Sequence, residues 1–354
     1  MQIMPEKSVF SEADNGSSSY SAYFQKYEKL ALNFIKKNLM RENGGIISNT
    51  SHSKSGSDIL SESTGLFMDY SVIKGDRKLF DRQYGFLKER LLSGNNLVKW
   101  KSSQTEINCN AAIDDLRIVR ALLDAYALWG DRTYFDTAGA ISGALYSNQV
   151  KDGCLYELYD WKYNTSKKSI PLCYLDLYTI DRASLFNEGW GEVVNRGLNI
   201  LKNGRVNDES PFYYKYYDYA TGKYSLDEEF SKEKGICLTY TLYTVLHLAE
   251  MNEDTGFFTE WLRNEDQKGR LLSWYNPFTL KPVNEMESTA VYALAAVYSK
   301  KAGEEELYRS LMEKMLKLII TYEKSPYHGG FGIEATGSFF SFDNLTALWA
   351  LGIR

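Results

Sequence analysis

Three stretches of the chain repeat one pattern, and two of them open with the same Glu-Ser-Thr tripeptide. Glu62-Ser63-Thr64 leads through Tyr70 to Gly75-Asp76, Glu287-Ser288-Thr289 leads through Tyr292 and Tyr298 to Gly303-Glu304, and Asp115 leads through Tyr126 to Gly130-Asp131. A second amphipathic run follows each Gly-acid pair, from Lys78 to Leu92, Thr133 to Leu145 and Glu305 to Ile320. The repeated unit is a helical hairpin. Glycine suits the left-handed turn that ends its first helix, and the acid beside it suits the positive start of the second. Such a unit buries its apolar face on its neighbours, so the repeats must stack. Each begins with an acid at the start of its first helix. If these helices run parallel in a ring, several carboxylates converge on one rim.

A coarse pass yields twelve helices, near 20–40, 63–74, 77–92, 112–129, 132–147, 174–186, 189–203, 233–251, 255–264, 286–301, 303–322 and 342–352. Paired as six hairpins, they suggest an all-α (α/α)6 barrel. The stretches from Gly44 to Ser57 and from Tyr156 to Ser169 read as connections. Residues 212–226 alternate polar and aromatic side chains around Asp218 and Gly222, which reads as a small β-hairpin. With 354 residues and 44% apolar content, the expected organisation is a flexible segment at 1–19 and one domain over 20–354.

The net charge of −5 is spread along the chain, with Lys and Arg scattered, which argues against a nucleic-acid surface. No run of about 18 apolar residues could span a membrane, and the first twenty residues lack the apolar segment of a signal peptide. Cys109, Cys154, Cys173 and Cys237 form no Cys-x-x-Cys pair, and His52, His247 and His328 lie far apart. The spacing carries no zinc pattern, so free, mostly buried thiols and no metal or other cofactor are expected. No Gly-x-x-x-x-Gly-Lys sequence supports nucleotide binding, and Gly329-Gly330-Phe331-Gly332 is a loop.

Aromatic content is high, with 27 Tyr, 17 Phe and 7 Trp, which exceeds the needs of a helical core. Sugar rings present apolar C–H faces that stack on aromatic rings. Tyr126, Trp129, Tyr240, Tyr243 and Trp349 fall at helical spacing and read as core. Trp100, Trp161, Trp274 and Tyr275 lie in loops and are candidates for a sugar groove, together with Tyr174 and Glu287.

Two segments carry a resemblance to a known family. Ser61-Glu62-Ser63-Thr64-Gly65-Leu66-Phe67-Met68 resembles the signature around the catalytic acid of glycoside hydrolase family 8. Ala112-Ile113-Asp114-Asp115-Leu116-Arg117-Ile118 resembles the segment in which that family binds the sugar at the cleavage point. Within the family the chain is most similar to the PssZ-like glycosidases of Gram-positive exopolysaccharide operons. The resemblance implies Glu62 as general acid and Asp115, which precedes Leu116 as the family aspartate does, as the sugar-binding carboxylate. Asp114 competes with Asp115 for that role, since one of two acids in a first helical turn can serve as a cap. For the general base, Tyr224-Ser225-Leu226-Asp227 resembles the start of the family's Tyr-Ser-Tyr-Asp-Ala-x-Arg segment. Glu228 replaces the Ala, and Phe230 stands where the Arg would be. Asp218 is the rival, with Asp176 and Asp181 behind it. Glu287 resembles Glu62 locally, which internal repetition explains, and Asp343-Asn344 read as a cap.

Cleaving a glycosidic bond needs a protonated carboxyl for the leaving oxygen and a second carboxylate to activate water or attack carbon. The expectation is therefore an endo-acting, inverting, metal-independent hydrolase of a β-linked, β-1,4-type polysaccharide. For the PssZ-like group, this is a biofilm exopolysaccharide. A monomer working outside the cytoplasm or at the cell surface is implied, with any leader lying outside this chain. Two other classes share the barrel or the aromatics. A lyase or unsaturated uronyl hydrolase would want basic residues facing an acidic sugar, and a non-catalytic carbohydrate-binding protein would tolerate loss of Glu62.

Overall fold

The computed structural model describes residues 18–51, 58–103, 105–226 and 235–353. Most of the expected flexible segment at 1–19 lies outside these residues, as do His52, Asp227, Glu228 and Phe230. The twelve α-helices among the described residues are α1 (Ser18–Phe34), α2 (Ser61–Ile73), α3 (Arg77–Phe86), α4 (Ala112–Trp129), α5 (Arg132–Gln149) and α6 (Leu177–Ala183), followed by α7 (Trp190–Lys202), α8 (Leu238–Glu250), α9 (Gly256–Gln267), α10 (Thr289–Lys301), α11 (Glu305–Leu316) and α12 (Ser341–Gly352).

The even-numbered helices close a ring: α2 packs on α4, α4 on α6, α6 on α8, α8 on α10, α10 on α12, and α12 returns to α2. The odd-numbered helices lie outside, α3 on α2, α5 on α4, α7 on α6, α11 on α10 and α1 on α12. This is the (α/α)6 barrel. Side-chain patterns explain who goes where. α10 is buried without a break from Thr289 to Ser299 and carries Ala290, Ala293, Ala295 and Ala296, whose small side chains let an inner helix be covered on every face. α11 buries only Leu307, Tyr308, Leu311, Met312, Met315 and Leu316, the single stripe of an outer helix.

The hairpin punctuation holds in the structure. Gly75, Gly130 and Gly303 adopt left-handed φ values of 64°, 69° and 78°. Asp76 Oδ1 accepts from Leu79 N at 3.0 Å and Asp131 Oδ1 from Thr133 N at 3.1 Å, capping α3 and α5. Glu304 caps nothing with its side chain and pairs with Arg263 instead.

These turns make the barrel asymmetric. Inside each hairpin the link is short, at 74–76, 130–131, 184–189, 251–255 and 302–304. Between hairpins the chain runs long, its described parts being 92–103 with 105–111, 150–176, 203–226 with 235–237, 268–288 and 317–340. All the long connections therefore reach the rim formed by the N-terminal ends of the inner helices. They carry the small sheets, including a three-stranded antiparallel sheet of Ser169–Pro171, Tyr216–Asp218 and Lys223–Ser225 that contains the expected hairpin. The connection expected at 156–169 holds an unforeseen strand pair, Tyr159–Asp160 with Thr165–Ser166, closed by Asp160 Oδ1 accepting from Lys162 N and Tyr163 N. The four cysteines are free, and only Cys173 is buried, so the expectation of mostly buried thiols fails for the other three.

Candidate active site

Glu62 is the second residue of α2 and lies half-buried on the long-loop rim. The residues on either side fix it. Ser61 N donates to Trp100 O at 3.0 Å, and Ser61 Oγ donates to Asp114 Oδ2 at 2.7 Å, tying the start of α2 to the start of α4. Ser63 Oγ donates to Ser341 Oγ at 2.9 Å, tying it to the start of α12. Three consecutive inner helices are thus stitched together around one carboxyl. Gly65, one turn below, admits the neighbouring arginine: a Cβ there would sit 3.0 Å from Arg117 Cδ.

Asp114 and Arg117 complete the centre. Arg117 Nη1 donates to Asp114 Oδ1 at 2.8 Å, with both side chains about one-tenth exposed, and its guanidinium lies 5.9 Å from the Tyr243 ring centroid. Burial, and then the charge of Asp114, push the Glu62 carboxyl up to about 7; Arg117 pulls against them and Asp343 adds to them. Asp114 is itself raised by burial, against the pull of Arg117 and Ser61. Glu62 therefore holds a proton near neutrality although a helix N-terminus favours the anion.

The structure separates the two adjacent aspartates. Asp115 is fully buried, its Oδ1 accepting from Val98 N at 2.9 Å and its Oδ2 from Asn110 Nδ2 at 3.0 Å. It anchors the loop ahead of α4. The carboxylate beside Glu62 is that of Asp114, so the expected sugar contact at Asp115 does not match its surroundings.

Asp218, the rival for the base, is engaged in a turn. Its Oδ1 accepts from Thr221 N at 2.7 Å and Thr221 Oγ1 at 2.8 Å, the bonds of a turn initiator, and these bonds hold its carboxyl below the usual range. Asp176 caps α6, accepting from Thr179 N at 3.0 Å.

The groove candidates divide. Trp100 is 37% exposed and adjoins Ser61 through its carbonyl, with the Lys101 ammonium 4.6 Å from its ring centroid. Tyr174 lies within the electrostatic reach of Glu62 and Asp114, and burial raises its hydroxyl. Trp161 and Trp274 are half-buried. Tyr275 is a correction: it is wholly buried, stacked on Phe212 at 5.6 Å, with its hydroxyl bonded to Glu265 at 3.2 Å. Its extended segment turns the ring inward, so it belongs to the core. Glu287 is half-buried at the start of α10 and accepts from Tyr292 Oη at 2.5 Å.

Three further residues near this rim are not among the site candidates expected from the sequence. Asp343 does cap a helix, but a neighbouring one, accepting from Ala290 N at 2.9 Å and Ser288 Oγ at 3.0 Å at the start of α10. Phe340 is 51% exposed beside Ser341. Tyr243, read as core from its spacing, packs against the core yet carries a buried hydroxyl without a hydrogen-bond partner among the described residues. The i, i+3 spacing of Asp114 and Arg117 was the one sequence signal for the ion pair.

The comparisons with known proteins converge on this architecture. The family model for glycosyl hydrolases family 8 matches residues 17–210. The Bacillus subtilis (strain 168) protein named "Putative lipoprotein YdaJ" is 32% identical over 323 residues, covering 90% of this chain and 84% of that protein. A solved structure described as a novel alpha-amylase from Clostridium perfringens superposes with a TM-score of 0.86 at 30% identity, over 97% of this chain and 100% of that one. PssZ from Listeria monocytogenes superposes with a TM-score of 0.73 at 21% identity, over 97% of each chain, and supports the fold. A ring of six inner helices, a proton-holding glutamate in the matched segment and relatives along nearly the whole length lead to one conclusion: the chain belongs to glycosyl hydrolase family 8 and is a glycoside hydrolase.

Proposed function

We propose that this chain is an endo-acting, inverting hydrolase of a β-linked, β-1,4-type polysaccharide, with Glu62 as the general acid. The observation that carries the reading is the Glu62 carboxyl, held up to about 7 by burial and Asp114 on the rim where every long loop gathers. Glu62 donates its proton to the leaving oxygen. Asp114, oriented by Ser61 and Arg117, holds the sugar at the cleavage point in place of Asp115 and keeps Glu62 protonated by its charge. Trp100 and Tyr174 offer ring faces to adjoining sugars. Asp227, outside the described residues, activates the water; inversion requires it roughly 6.5–9.5 Å from Glu62.

A biofilm exopolysaccharide is the proposed natural substrate and the cell surface the proposed place of work. The lipoprotein name of YdaJ and the likeness to PssZ support this. No helix among the described residues is long and apolar enough to cross a membrane. A second reading, cleavage of an α-linked glucan, is favoured by the 30% identity to the protein described as an alpha-amylase.

The experiment is reducing-end release from β-1,4-glucan, α-1,4-glucan and crude exopolysaccharide by wild type and Glu62→Gln, with the anomer of the first product read by NMR. Release from the β-linked substrates with inversion, lost in the variant, supports the proposal. Activity confined to α-1,4-glucan transfers it to the second reading.

A further inference from the structure

A second charged cluster lies inside the ring, apart from the residues assigned to hydrolysis. Asp176 at the start of α6 and His247 and Glu250 in the last turn of α8 each bring one ligand atom to within 4.8 Å of the others, and all three are buried. His247 Nε2 lies 3.1 Å from the carbonyl oxygen of Cys173. A carbonyl only accepts, so Nε2 carries the hydrogen. In the neutral ring, Nδ1 is then a bare lone pair, and it faces Glu250 Oε2 at 3.5 Å and Asp176 Oδ1 at 4.0 Å.

This arrangement is repulsive unless positive charge sits among the three atoms. His247 Nδ1 and Glu250 Oε2 have no hydrogen-bond partner among the described residues, and their side chains are only 5% and 4% exposed. Buried polar atoms of this kind are costly when left unpaired. The separations exceed the roughly 2.7–3.2 Å of a good hydrogen bond. They are close to the spacing of ligands that share one ion at bonds of about 2.0–2.2 Å. The second ring nitrogen resting on a backbone carbonyl is the device that fixes the tautomer of a metal-bound imidazole.

We propose that His247, Glu250 and Asp176 form a buried structural site for a divalent transition-metal ion of the zinc kind. One imidazole nitrogen with two carboxylates suits zinc, whereas calcium and magnesium favour oxygen alone. The other groups facing the site leave it open. Arg120 Nη2 bonds Glu250 Oε1 at 2.7 Å, and its Nη1 lies 3.9 Å from Asp176 Oδ2, so it occupies the outer oxygens and offsets one negative charge. Thr179 N takes one lone pair of Asp176 Oδ1 and leaves the other. The ion would join the start of α6, the shortest inner helix, to the end of α8.

The test is the zinc content of tag-free protein, dialysed against zinc chloride and then against zinc-free buffer, measured by elemental mass spectrometry. Melting with and without EDTA and a 15N spectrum of the histidine rings accompany it. The proposal expects about one zinc per chain, a melting temperature several degrees above that of the EDTA-treated protein, and an unprotonated Nδ1 on His247. His247→Gln loses the zinc and the shift, while Glu62→Gln keeps both. Zinc content no higher in wild type than in His247→Gln overturns the proposal. So does a His247 ring that keeps both protons in excess zinc, a measurement on wild type that stands even if the variant fails to fold.

Discussion

Ser61 Oγ donates to Asp114 Oδ2 at 2.7 Å, so a hydroxyl at the first position of α2 orients the carboxylate that, after burial, does most to raise the proton affinity of its own neighbour, Glu62. Removing that hydroxyl leaves a buried carboxylate short of one donor, worth about 1–3 kcal/mol. Ser61→Ala is expected to keep its fold, melt several degrees lower, and lose roughly tenfold in kcat/KM as Asp114 loosens. Unchanged kinetics would remove Ser61 from the positioning of the site.

The adjacent aspartates give opposite phenotypes. Asp114→Asn removes the negative charge that helps raise Glu62, so the pKa of Glu62 falls below about 7 and the alkaline limb of the kcat/KM profile moves to lower pH. Asp115→Asn deprives Val98 N or Asn110 of an acceptor, which costs about 1–3 kcal/mol in stability, with activity per folded molecule retained. Titration of kcat/KM against pH, beside urea melts of both variants, checks the pair. A stable, inactive Asp115→Asn would reverse the assignment.

Stability should carry the mark of the raised carboxyl. Glu62 has a folded pKa of about 7 against an ordinary value of 4.5, so between these pH values the native state binds more protons than the unfolded chain. Its presence is neutral below about 4.5, and stability falls as pH rises toward 7. Glu62→Gln removes this penalty, whose upper bound is about 3 kcal/mol. The variant is therefore expected to melt at the wild-type temperature at pH 4 and above it at pH 8. Thermal melts across this range decide, and a variant less stable at pH 8 contradicts the shift.

Aromatic residues separate by exposure. Trp100→Ala should raise KM severalfold with little change in melting, because its ring is over one-third exposed at the rim. Tyr275→Ala removes a wholly buried ring and should cost roughly 3–5 kcal/mol. Melting curves and substrate saturation on both variants make the check.

Hairpins were legible in the sequence because Gly75, Gly130 and Gly303 need a left-handed turn that only local chemistry decides. Glu62 stood out in the sequence because it opens one of the repeated Glu-Ser-Thr units and lies in the segment that resembles the family signature. Asp114 and Asp115 were not distinguishable. Neighbours on a helix point about 100° apart, and the donors that claim Asp115 are Val98 and Asn110 in the loop just ahead of α4, whose path the sequence does not give. Tyr275 was misread for a related reason: a loop position says nothing about Phe212, the ring that receives it. Asp218 carried its turn signature openly, in Thr221 and Gly222, beside a resemblance that pointed to Asp227. The cluster of Asp176, His247, Glu250 and Arg120 draws on three helices and is visible only once the ring closes.

The most direct measurement is hydrolysis by Glu62→Gln on a glycan that the wild type cleaves, followed by reducing-end release together with glycan binding. The account predicts a loss of several orders of magnitude in rate with binding retained, because the variant keeps the shape of the site and loses the proton. Equal product release by wild type and Glu62→Gln would contradict it.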